Sequence, residues 1–264
     1  MPSLQKLRPE KASKIGTERP PSQPDGPSPG RVSRWLLVAS GAITLLGFTS
    51  KPPDTMLLIY TCFVLAYCFR KPLQRWVGSL PIGLPWLTLL SFWAAGSLTE
   101  SLAWSNNYLK AAPEPALFHP QLIPDLIVGL GFYGGWAGAW WIATRWFRYS
   151  IRDAFLVTGF QGIFFEQLGA VFSAMLQLLS TNPGLALLFG VYVFLVHGST
   201  VGLSLVPIHH RLMSPTASRS PLRFPVAIAL MVGGAFLGAW CIAMGAELFG
   251  GLPEKRSIVE HPLW

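Results

Sequence analysis

Charge is what this chain has least of. Only 12% of its 264 residues are Asp, Glu, Lys or Arg, about half the fraction in a typical soluble domain. That excludes an ordinary cytosolic enzyme, a charged disordered chain and a coiled coil, each of which needs charge along its length. Acid is scarcer than base, 12 residues against 20, for a formal net charge of +8. The basic residues are divided among separate connectors rather than set along one stripe, so no nucleic-acid partner is expected. Cysteine is also scarce. Cys62, Cys68 and Cys241 lie in apolar segments with neither CxxC nor zinc-ligand spacing, and they read as small buried apolar side chains. HExxH, Gly-x-Ser-x-Gly, Walker and dinucleotide glycine motifs are all missing. His209 and His210 are adjacent but lack a third ligand, so no metal site is expected. Nothing in the sequence names a cofactor.

What is present in quantity is apolar: 51% of the residues are hydrophobic, and the mean hydropathy is +0.43. Apolar runs fall at about 35–49, 55–69, 86–104, 126–144, 154–179, 184–206 and 226–249. Crossing a hydrocarbon core of about 30 Å takes roughly 20 helical residues, which the last five runs supply. The first two reach only about 22 Å each. They cross by local thinning, with Arg34 and Arg70 reaching the interface, or else form a shallow re-entrant hairpin. The expectation is an all-α polytopic membrane bundle with about seven transmembrane helices over residues 31–250. A basic, Pro-rich disordered tail (1–30) precedes it, and a short non-cytoplasmic tail (251–264) follows.

Connector charge sets the orientation. With the N-terminus cytoplasmic, the inside segments 1–34, 70–76, 145–153 and 207–224 hold 16 Lys and Arg against 4 outside, as the positive-inside rule requires. The membrane expected is a prokaryotic-type inner or a thylakoid membrane. Trp35, Trp76, Trp86, Trp104 and Trp146 fall near run ends, where an indole buries its ring and wets its N–H. Gly131xxxGly135 and Gly134xxxGly138 in one run and Gly234xxxGly238 in another set small residues on one helical face. Such faces suit helix–helix contact in lipid, within the chain in preference to a homodimer. Segment 105–125 carries Pro113, Pro115, Pro120 and Pro124, which bar a continuous helix. Between the prolines, Leu117 and Phe118 can dip into the membrane interface; the segment reads as a surface loop, with a lid over a cavity entrance as the alternative.

Each ionisable residue inside the membrane calls for a local reason. Glu166 lies mid-run, and on a continuous helix Thr158, Gly162, Glu166, Gly169, Ser173 and Gln177 share one sector. His197 falls at a comparable depth on the next run, joined by a short STNPG turn, so a Glu166–His197 hydrogen bond is expected. The candidate catalytic residues are Glu166, His197 and Glu100. The candidate ligand-binding residues are Gln161, Gln167, Ser173, Trp93 and Glu247. If their helices converge, Glu100, Glu166 and Glu247 line one pocket. The acidic, aromatic-lined heptahelical plan resembles membrane enzymes that protonate isoprenoid or carotenoid chains; no residue role is carried over from that likeness.

Three functions fit these residues. The first is a binding, scaffold or assembly component with an interior polar site. The second is a membrane enzyme acting on a lipid, quinone or isoprenoid by Glu/His acid–base chemistry. The third is a proton-coupled transporter. The partners expected are membrane lipids, an apolar small-molecule ligand and another membrane protein.

Overall fold

The computed structural model describes residues 31–214 and 216–264; the expected tail over 1–30 lies outside them. Among the described residues the regular secondary structure is helical, apart from one isolated bridge between Phe147 and Ser218. The helices are α1 (Arg31–Thr44), α2 (Leu58–Cys68), α3 (Arg70–Gly78), α4 (Leu84–Leu109), α5 (Leu122–Trp146), α6 (Ile151–Phe165), α7 (Ala170–Thr181), α8 (Pro183–Leu205), α9 (His209–Leu212) and α10 (Arg223–Leu248). Among the described residues, four segments are long and apolar enough to cross a membrane: Leu122–Trp146, Ile151–Thr181, Pro183–Leu205 and Arg223–Leu248. Helix α4 has the length, 26 residues, but its Ser, Thr and Asn side chains lower its hydropathy. Helices α1 and α2 are shorter.

Local chemistry sets several helix starts. Ser150 and Asp153 form a reciprocal capping box at α6, which satisfies two backbone N–H groups that the first turn leaves free. The Asn182 side chain accepts the Leu185 N–H at 3.0 Å, and Pro183 then occupies the first turn of α8, where its missing N–H is no loss.

Helices α5 and α10 form the tightest seam, and they are antiparallel. A Cβ on Gly135 would collide with the Gly234 carbonyl, and one on Gly238 with the Gly131 carbonyl. The expected small-residue contact is therefore made within the chain, and it selects Gly131 and Gly135. Gly134 faces the Trp93 indole instead, and Gly138 faces open space. Beside this seam, Phe92, Trp136 and Trp140 form the centre of the core. Trp240 lies on the outer surface.

The connectors gather at two opposite ends. At one end, Arg148 N–H donates to the Ser218 carbonyl at 2.8 Å, and Tyr149 O–H donates to the Arg223 carbonyl at 2.7 Å. The Tyr149 carbonyl accepts from His209 Nε2 at 2.8 Å, and Arg211 donates to the Ile82 carbonyl at 3.0 Å. At the other end Lys110 pairs with Asp54 at 3.3 Å, and Thr55 Oγ1 donates to the Leu102 carbonyl at 2.7 Å. There the C-terminal segment folds back onto the connector before α5. Leu122 N–H donates to the Pro262 carbonyl at 3.1 Å. The buried Gln121 amide donates to the carbonyls of Arg256 at 3.0 Å and His261 at 2.9 Å.

Candidate functional site

The run expected as one continuous fifth helix is broken at its middle. Helix α6 stops at Phe165, and Glu166 is extended, with φ −63° and ψ 138°. Gln167, Leu168 and Gly169 then take left-handed conformations at φ 48°, 58° and 87° before α7 begins. A left-handed conformation costs a non-glycine residue about 1–2 kcal/mol. Only Gly169 adopts it without a Cβ penalty. The break therefore corrects the expected six-residue stripe. Thr158 and Gly162 are buried on α6, whereas Ser173 and Gln177 lie exposed on α7.

The break presents Glu166 to α8. Glu166 Oε2 lies 3.2 Å from His197 Nε2, with both side chains about four-fifths to three-quarters covered. A Cβ on Gly162 would overlap the His197 ring, so the absence of a side chain there is what admits the imidazole. His197 Nδ1 lies 3.0 Å from the Val193 carbonyl. A carbonyl only accepts, so Nδ1 carries hydrogen, and a single proton remains to sit between Nε2 and Oε2. The Glu166–His197 contact expected from depth is thus present, at a helix break rather than along a smooth helical face.

A cleft of about 190 Å³ runs beside the break, between α5, α6 and α10. Its polar wall is Gln161, Glu166 and Gln167. Its apolar wall is Phe118 from the connector, Phe132 from α5, Phe165 and Leu168 from the break, and Val232, Ala235, Phe236 and Ala239 from α10. Gln161 is 3% exposed, and its Oε1 has no hydrogen-bond partner among the described residues. Leu168 and Phe236 are 84% and 57% exposed, so the cleft opens sideways, through the outer face of the bundle. Phe118 packs against Phe132 with ring centroids 5.2 Å apart and planes tilted by 50°. Phe118, expected at the membrane interface, lines the cleft instead.

The other candidates divide. Glu100 is buried, and Tyr133 O–H donates to its Oε1 at 2.6 Å. Trp93 does not line the cleft; its indole N–H donates to the Leu130 carbonyl at 2.8 Å and ties α4 to α5. Glu247 is exposed at the end of α10 and lines no part of the cleft, so three glutamates do not converge in one pocket. Gln167 reaches the cleft through its own left-handed backbone. The sequence reading missed Asp125, which is wholly buried in the first turn of α5. The signal available was an acid one residue outside an apolar run that begins at 126. No protein-family model matches the chain, and no curated protein or solved structure is detectably similar to it.

Proposed function

We propose that this chain is an integral membrane protein with seven crossings that holds a lipid-soluble small molecule in the cleft beside Glu166. The observation that carries the reading is the broken helix. Non-helical backbone at membrane depth persists where it is buried in protein or lines a cavity, and interrupted helices in membrane proteins form binding sites in this way. The volume suits a ring or a short chain segment, since an apolar cavity of roughly 150 Å³ already takes benzene. A longer ligand extends past Leu168 and Phe236 into the acyl chains. The seven-crossing topology, with the N-terminus cytoplasmic, is supported by the 16 to 4 partition of Lys and Arg and by the gathering of their connectors at opposite ends.

Two experiments test this reading. A lipid-soluble photolabel in nanodiscs is expected to mark Phe165 and Phe236, and Ala239→Trp, which fills the cleft, to abolish that labelling. Labelling insensitive to Ala239→Trp sinks the binding reading. Single cysteines at 110 and 219 are expected to react with an impermeant reagent from opposite sides of sealed vesicles. Reaction from one shared side overturns the topology.

A second reading is favoured by one specific observation, the single proton held between Glu166 and His197 on the cleft wall. Such a pair suits acid–base chemistry on the bound molecule. Under this reading Glu166→Gln retains the ligand but no longer converts it, and an unchanged lipid profile in a strain carrying that variant argues for binding alone.

A further inference from the structure

The buried polar groups between α4 and α5 admit one arrangement of hydrogens. Tyr133 O–H donates to Glu100 Oε1, and the His119 backbone N–H donates to Asp125 Oδ1 at 3.0 Å. Glu100 packs over Gly129 of α5, one helical turn from Asp125, so the two carboxyl groups face each other. Glu100 is 8% exposed and Asp125 not at all. Among the described residues no lysine, arginine or histidine pairs with either acid. Asp125 Oδ2 is buried without a donor when both carboxyls are drawn ionised. Two like charges face to face, out of water and without a cation, are untenable. One hydrogen on the remaining Glu100 oxygen removes the repulsion and supplies Asp125 Oδ2 with the donor it lacks.

We propose that Glu100 and Asp125 form a buried one-proton site, in which neutral Glu100 donates to ionised Asp125. The direction follows from their other partners. Asp125 Oδ1 receives the His119 backbone N–H, which suits an anion, and it is Asp125 whose second oxygen is buried without a donor, whereas Glu100 receives a single phenol. The titratable groups that face the pair are Tyr133 from α5 and Glu166 from the break, the latter paired with His197 of α8. The His119 imidazole is already engaged: Nδ1 accepts the Gln121 N–H at 3.2 Å, and Nε2 lies 3.0 Å from the Pro253 carbonyl. The ligand of this site is a proton, stored beside the cleft, and the same Asp125 carboxylate holds the backbone of the connector that places Phe118 in the cleft wall. None of this depends on what the cleft binds.

The test is infrared spectroscopy of the full chain in nanodiscs at neutral pH. The wild type is expected to show the C=O stretch of a protonated carboxylic acid, downshifted in deuterated buffer. Glu100→Gln is expected to lose that band while keeping the fold, because its amide N–H still donates to Asp125 Oδ2. Asp125→Asn is expected to shift or remove the band. Thermal unfolding gives a second readout: Glu100→Gln unfolds near the wild-type temperature, whereas Glu100→Leu, which returns Asp125 Oδ2 to isolation, unfolds several degrees lower. A wild type without the band, a band undiminished in Glu100→Gln, or equal destabilisation by Gln and Leu overturns the proposal.

Discussion

Glu166 and His197 meet 3.2 Å apart across the gap between α6 and α7, so the contact joins a broken segment to an intact helix. A hydrogen bond to a charged group contributes about 1.5–3 kcal/mol. His197→Ala is therefore expected to cost roughly 2 kcal/mol, leaving Glu166 without its partner, and Glu166→Gln less, because the amide still reaches the ring. A double-mutant cycle read by thermal unfolding in detergent should return a coupling of about 1 kcal/mol or more. Strictly additive losses would show that the pair holds nothing together.

What could be read in the sequence was whatever depends on composition and on local period. The all-helical plan, the depth match of Glu166 with His197 and the small face of α5 all follow from counting along a helix. The break does not, because it rests on three consecutive left-handed residues and two of them, Gln167 and Leu168, have no such preference. Tertiary packing imposed that backbone, and the stripe drawn through Ser173 failed with it. Glu247 and Trp93 were placed by proximity and period alone, and neither reports what a side chain meets across an interface. Asp125 and the C-terminal clasp were invisible for a related reason. Their partners lie far along the chain, and no periodicity connects Gln121 to His261.

The α5–α10 seam predicts a sharp difference between neighbouring glycines. Gly135→Ala sets a methyl against the Gly234 backbone, which cannot rotate away as a side chain would. Overpacking of this kind costs about 1–3 kcal/mol, occasionally more. Gly138→Ala and Gly233→Ala meet nothing within 4 Å, and each should leave stability unchanged or slightly raised through better helix propensity. Unfolding temperatures of the three variants check this, and equal losses at 135 and 138 would exclude the helix register seen here.

The C-terminal clasp predicts that a cleft wall depends on residues far from it in sequence. Gln121 makes three hydrogen bonds to the backbone of Arg256 and His261, and His119 adds one to Pro253. Removing residues 253–264, or replacing Gln121 by Ala, removes these hydrogen bonds, at about 0.5–1.5 kcal/mol each. Hydrogen exchange across 111–121 should accelerate in both variants while the α5–α10 seam stays protected. Unchanged exchange in the truncated chain would mean that the connector holds its position without the clasp.

Acid should loosen the basic end of the bundle before the rest of it. Burial is the largest influence on His209 and holds its imidazole below the ordinary value, partly offset by the hydrogen bond to the Tyr149 carbonyl. His210 is lowered in the same direction, first by burial and then by the charge of Arg211. A histidine depressed in the folded state binds its proton more readily when unfolded. Stability therefore rises with pH across that window, is complete above the ordinary histidine value of about 6.5, and falls as the medium is acidified below it. His209→Gln keeps a donor for the Tyr149 carbonyl and removes the titration. Between pH 7 and pH 5 this variant should lose less stability than the wild type, with exchange protection retained over 145–153. If the two pH profiles superimpose, another group governs the acid response, and the neutral state assigned to His209 by its burial is wrong.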